Sequence, residues 1–220
     1  MAELMTAAVE PKKARPWTYP AVVSAVILAG GYLFIQYKKD RRAEAQELFQ
    51  QAQNMLNMTV PVEGGASPLI QAEQQLGRIT SDFKDLGMSR PAALYEAEIM
   101  RERGQVLQAL ERVRRFLQDN TGKKADVWTA LARRNEAYYL EQAGRFPEAL
   151  QSYMTLAEAQ LPWISPDELA LGQARCLLAS GDSQGAQTLL VALAEKSPSS
   201  YWARTAAALL KQSIMSRIKV

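Results

Sequence analysis

Apolar positions recur at helical spacing along most of the chain, in short segments separated by turn formers. Ala97, Gly104 and Ala109 set a frame that returns as Ala137, Gly144 and Ala149, then as Ala174, Gly181 and Ala186. Each glycine follows the first alanine by seven residues and precedes the second by five. The frame predicts one unit used three times: a helix, a glycine turn and an antiparallel helix. Alanine at a helix crossing lets the axes approach to roughly 8–10 Å. Glycine at the turn accepts the left-handed backbone that ends a helix.

Weaker stripes flank this core. Leu48, Ala52, Met55 and Leu56 share one helical face, and Ala72, Leu76 and Ile79 share another, which predicts a degenerate first helix pair over residues 43–86. Pro61, Gly64, Gly65 and Ser67 lie between them and break any helix. The three framed pairs occupy residues 90–198. Trp202, Ala206, Leu209, Leu210 and Ile214 predict a capping helix over residues 200–218, covering the apolar side of the last pair. The expected fold is an all-α solenoid, because units of this length cannot bury their apolar faces alone.

One segment breaks the amphipathic pattern. Residues 16–37 carry no charge, and Ala21–Ile35 is almost wholly apolar. About 20 residues of helix span the roughly 30 Å hydrocarbon core of a bilayer. Trp17 and Tyr19 at one end, with Tyr32 and Tyr37 at the other, suit the two interfaces. Residues 16–37 are therefore expected to form a transmembrane helix in the lipid bilayer, between a basic tail over 1–15 and a basic flank over 38–42. A signal peptide cut after Ala29 is the rival reading. The apolar run continues through Leu33, Phe34 and Ile35, beyond a usual signal core, which favours an uncleaved anchor. Three basic residues precede the segment and four follow it, so charge leaves the orientation open.

Charge changes the picture once. The net charge is +3, but residues 1–42 hold seven basic and three acidic side chains, leaving 19 basic and 20 acidic beyond them. The repeat region is near neutral, which argues against nucleic acid as a partner. Arg112, Arg114, Arg115, Lys123, Lys124, Arg133 and Arg134 cluster in sequence, but Glu111, Asp119, Asp126 and Glu136 interleave with them, as on a solvated face.

Catalytic chemistry finds little support. The chain has no histidine, the commonest general base and metal ligand. The single cysteine, Cys176, sits on a packed helix face, where a buried thiol acts as a small hydrophobe. No phosphate-cradling glycine loop occurs. No catalytic residue, cofactor or metal site is expected.

The framed units resemble tetratricopeptide repeats. Ala137 and Leu140 match the small and large positions of the first helix, with Phe146 after the turn and Ala149 and Tyr153 on the second. The third unit gives Ala174, Leu177, Gly181, Ala186, Leu190 and the closing Pro198; the first gives Ala97, Met100, Gly104, Val106, Ala109, Val113 and Phe116. The early tryptophan of the family is missing, and the units are 40 and 37 residues apart instead of about 34. The surplus falls in Asp119–Ala125 and Gln160–Pro166, read as longer loops. The resemblance implies a concave face built by the first helices and used to bind proteins. Here that face would present Tyr95, Glu98, Arg134, Tyr138, Leu171 and Arg175. Asn135 fits a position of the family's carboxylate clamp, but Leu94, Glu98, Glu168 and Gly172 stand at others, so that clamp is not expected.

The layout also resembles bacterial inner-membrane tetratricopeptide proteins associated with the Sec translocon and its periplasmic chaperones. That likeness implies a periplasmic repeat domain assisting export or folding of envelope proteins beside a membrane-bound prolyl isomerase. Two other readings stay open: an assembly scaffold of a membrane-associated secretion, division or organelle complex, and a cytosol-facing regulator.

Overall fold

The structure is a computed structural model, in which residues 18–57, 67–122, 126–196 and 198–218 are described. Among them are nine α-helices and no strand: α1 (Thr18–Leu56), α2 (Pro68–Asp82), α3 (Ser89–Glu102), α4 (Val106–Asp119), α5 (Val127–Gln142), α6 (Phe146–Ala159), α7 (Pro166–Ala179), α8 (Ser183–Lys196) and α9 (Tyr201–Ile218). The chain divides into two compact units, residues 1–44 and 45–220.

The larger unit is a stack of antiparallel helix pairs. α3 packs on α4, α5 on α6 and α7 on α8, and each pair also contacts the next. The alanine frame accounts for this. Ala97, Ala109, Ala137, Ala149, Ala174 and Ala186 are all fully buried, at 0% exposure. Gly104, Gly144 and Gly181 have φ of 78°, 73° and 87°, the left-handed turn that L-residues resist. Local sequence supports the starts. The Asp126 side chain caps α5 by accepting from the Thr129 N–H while the Thr129 hydroxyl accepts from the Asp126 N–H. Pro147 and Pro166 sit in the first turns of α6 and α7, where a missing N–H costs nothing.

Three apolar clusters follow the stack. Ala45, Leu48 and Ala52 of α1 pack with Ala72, Leu76 and Ile79 of α2 and with Ala92 and Ile99 of α3. The largest cluster runs from α3 to α7 and includes Val113, Phe116, Tyr139, Leu140, Tyr153 and Cys176. The last joins Leu171 and Ala174 of α7, Leu190 and Leu193 of α8 and Ala206 of α9. The long loop after α6 begins with Gln160 in the left-handed conformation, at φ 46°. The loop after α4 passes Gly122 and enters residues 123–125, which lie outside the described residues.

Two expectations need correction. α9 does more than cover α8: it also packs against α7, as the first helix of a further pair would. Leu171 is consequently 2% exposed inside that packing and is not a surface residue. The 38–42 flank falls within α1. Lys, Asp and Arg there contain no helix breaker, and α1 runs through them unbroken from Thr18 to Leu56.

In the smaller unit, every side chain from Val23 to Ile35 is exposed, with Leu28 at 73% and Ile35 at 66%. Lys38 lies 5.0 Å from the Phe34 ring centroid, and Arg41 lies 5.7 Å from that of Tyr37, one helical turn back in each case. Among the described residues, no helix is long and apolar enough to cross a membrane. The 1–15 tail, Pro16 and Trp17 lie outside the described residues, as do the side chains of residues 18–22.

Candidate protein-binding groove

The inner side of the stack holds a groove of about 800 Å³. α3 supplies Pro91, Leu94, Tyr95 and Glu98; α5 supplies Trp128, Leu131, Arg134, Asn135, Tyr138, Glu141 and Gln142. Phe146 and Tyr153 come from α6, Glu168 and Arg175 from α7, and Tyr201 and Trp202 from α9. Five of the six residues expected on this face, Tyr95, Glu98, Arg134, Tyr138 and Arg175, are thus brought together, and Leu171 is excluded.

The first helices contribute by register. Counted from the crossing alanine, the lining positions lie six, three and two residues before it and one after. The position six before gives Pro91 and Leu131, which the same spacing could have found, and Glu168, which the sequence placed only among the clamp positions. The position two before gives Tyr95, Asn135 and Gly172. At Gly172 the backbone lies against a neighbouring ring: a Cβ there would stand 2.6 Å from Cζ of Tyr153. Tyr201 and Trp202 had no repeat register to betray them.

Charge inside the groove is arranged in knots. The Tyr139 hydroxyl donates to Glu98 at 2.9 Å, and Arg101 donates to the same carboxylate at 2.6 and 3.0 Å. Burial opposes ionisation of Glu98, but these donors outweigh it and hold its carboxyl below the usual value. Burial, then the Glu98 charge, pushes the Tyr139 phenol upward. The second knot repeats the chemistry one pair further on. Arg175 donates to Glu141 at 2.5 and 2.7 Å, and the Tyr153 hydroxyl adds a third bond at 2.9 Å. Those bonds to Glu141 raise the Arg175 guanidinium further, while burial and then the Glu141 charge raise the Tyr153 phenol. Arg134 donates to the Asn135 side-chain oxygen at 2.9 Å and lies 3.8 Å from Glu168.

Aromatic rings fill the rest. The Arg101 guanidinium lies 5.9 Å from the Tyr138 ring centroid, and the Gln142 amide donates to the Tyr138 hydroxyl at 2.9 Å. Phe49 of α1 meets Tyr95 edge to face at 5.5 Å. Tyr201 and Trp202 form a T-shaped pair at 5.0 Å, with Tyr201 64% exposed. Outside the groove, Arg112 of α4 pairs at 2.6 Å with Glu96 of α3, which is buried, so this pair does not lie on the solvated face expected; Arg114 pairs with Glu136 at 2.8 Å, partly exposed. Burial, then the Glu141 charge, pushes the Cys176 thiol up to about 12, which keeps it protonated and unreactive. Among the described residues, no cluster of acidic or sulfur side chains could hold a metal ion.

Helix pairs of this geometry around a concave groove form a tetratricopeptide-like repeat fold. Among solved structures, the chain is similar to the nearly identical tetratricopeptide-like repeats of a Podosopora anserina protein named for the kinesin light chain. The TM-score is 0.59 at 13% identity, covering 81% of this chain and 87% of that one. A variant of those repeats gives 0.60 at 13% identity, over 81% and 86%. A tetratricopeptide repeat protein from Parabacteroides merdae gives 0.58 at 18% identity, over 77% of this chain and 59% of that one. No family model matches the chain, and no curated protein matches its sequence.

Proposed function

We propose that this protein is a membrane-anchored interaction module that holds a partner protein in the groove lined by Tyr95, Arg134 and Tyr138. The observation that carries the reading is the groove itself. Its side chains come from three successive first helices, from α6 and from α9, and Tyr95 and Tyr138 remain more than a third exposed within it. Aromatic and arginine side chains on a concave surface contribute interface energy out of proportion to their number.

The anchor rests on residues 16–37. The described part, Val23 to Ile35, exposes apolar side chains on every face of the helix, as no water-facing or one-sided helix does. That part alone falls short of the ~20 residues a bilayer requires, and residues 16–22 supply the uncharged remainder. The sequence layout further supports a place in the bacterial inner membrane with the repeats in the periplasm. There the groove would serve the Sec translocon and a membrane-bound prolyl isomerase during export or folding of envelope proteins.

The test uses the full chain in cells. It is expected to stay with membranes through alkaline washing, and protease added to spheroplasts is expected to digest the repeats. A photo-crosslinker at position 138 is expected to capture a translocon or isomerase subunit, whereas one at Gln151 on α6 is not. Release by alkali removes the anchor; protease protection places the repeats in the cytosol; capture of a single unrelated subunit makes the module an assembly scaffold.

A further inference from the structure

We infer that the outer face of α9 lies on an anionic lipid surface, an inference that rests on the membrane anchor proposed above. Arg204, Ala207, Ala208, Lys211, Ile214 and Met215 are all exposed, and their spacing of three and four residues puts them on one stripe of the helix. The opposite stripe, with Ala203 and Ala206 at 1% and 0% exposure, is turned to the stack. The bare stripe thus mixes apolar side chains, Ile214 at 48% and Met215 at 50% exposure, with two cations. Neither Arg204 nor Lys211 meets a carboxylate among the described residues.

Charge is segregated along the chain in the same sense. Residues 201–220 carry Arg204, Lys211, Arg217 and Lys219 and no acidic residue, whereas residues 43–200 carry 15 basic and 20 acidic side chains. An anionic surface therefore attracts α9 and repels the rest of the stack. The apolar positions decide among anionic partners. A nucleic acid would match the cations but offer nothing to Ile214 and Met215. Another helix would bury Arg204 and Lys211, whereas the helix pairs of this stack meet through alanine, methionine and leucine, as at Ala97 and Met100 or Ala137 and Leu140. The α9 of a second copy would set like charge against like. A bilayer boundary takes both kinds of side chain at once. Its acyl edge receives Ile214 and Met215, while the long stems of Arg204 and Lys211 carry their charges to lipid phosphates.

The experiment reads lipid contact at α9 in the full chain, reconstituted in vesicles. A fluorophore is attached at Ile214→Cys, or at Gln151→Cys on the exposed side of α6 as the reference, the native Cys176 being buried. With about 30% phosphatidylglycerol in phosphatidylcholine, a lipid spin-labelled near its headgroup is expected to quench the label at 214 about threefold or more above that at 151. The excess is expected to vanish in pure phosphatidylcholine and in the double variant Arg204→Glu, Lys211→Glu, and to fall at high salt. Equal quenching at the two positions, or an excess at 214 that survives neutral lipid or charge reversal, overturns the inference. So does a label at 214 whose emission turns apolar without lipid quenching, which shows a protein surface there. Alkaline washing of the same vesicles reads the anchor separately. Release of the chain removes the anchor, whereas retention with equal quenching removes only the lipid contact of α9.

Discussion

Arg175 of α7 reaches back to Glu141 of α5 and holds both carboxylate oxygens, through Nε at 2.5 Å and Nη2 at 2.7 Å. Glu141 is only 13% exposed, so the pair joins two successive units where water screens poorly. Arg175→Ala would leave that carboxylate short of two donors. A loss of about 2 kcal/mol is expected, the scale of hydrogen bonds to a charged group, read as a lower urea midpoint. Arg175→Lys keeps the charge without the fork and should recover only part of it. Arg175 is therefore a poor probe of partner binding, and Tyr138 or Arg134 is the better choice.

Gly172 and Gly77 should respond oppositely to alanine. At Gly172 the new Cβ would stand 2.6 to 2.8 Å from the Tyr153 ring, which its hydroxyl bond to Glu141 holds in place. Overpacking of this kind costs about 1–3 kcal/mol. At Gly77, inside α2, the nearest atom would be Glu96 Oε1 at 3.5 Å, an ordinary contact. Gly77→Ala should raise stability by up to about 1 kcal/mol through helix propensity. Thermal melts of the two variants against wild type give the comparison.

Ala149→Trp should destabilise the stack, while Gln151→Ala on the exposed side of the same helix should leave its melting temperature nearly unchanged. Ala149 is 0% exposed at the α5–α6 crossing, and no volume there can take an indole. Ala109→Trp and Ala186→Trp should behave alike, because both hold the same buried place. A melting temperature equal to wild type for any of the three would show that its crossing is looser than described.

Acid should weaken the fold in a defined window. Burial works against ionised Glu98, but Arg101 and Tyr139 prevail and lower its folded pKa below 4.5. Burial likewise works against Asp126, and the bonds from Arg90 and Thr129 lower it below 3.8. Groups lowered on folding contribute fully above their unfolded values, and the contribution is lost as pH falls through the folded ones. Urea midpoints should be level near neutral pH and decline below about 4.5, with a shallower decline in Glu98→Gln.

The frame was legible because geometry leaves those positions few choices. A helix crossing at full burial selects alanine, and a turn at φ near +75° selects glycine, so both leave a mark in the residue type. The groove was legible where that register applied, at Tyr95, Glu98, Arg134, Tyr138 and Arg175. It failed at Leu171, which shares the position of Leu94 and Arg134 but is covered by Ala206 of α9. Nothing in the residue itself distinguishes a leucine under a final helix from one facing a groove. Trp128, Tyr201 and Trp202 were missed because they lie outside the repeated positions, where only three-dimensional curvature brings them to the site.

Each boundary between the framed pairs carries its own carboxylate knot, Glu98 joining α3 to α5 and Glu141 joining α5, α6 and α7. The curvature of the stack cannot relax at either boundary without stripping a half-buried carboxylate of its donors. A partner of the kind proposed would thus meet a groove already shaped, and its association would not bear the entropy of bending the helices into place. Selectivity then falls on the shape of the arriving surface, since the receiving one has little freedom to follow it.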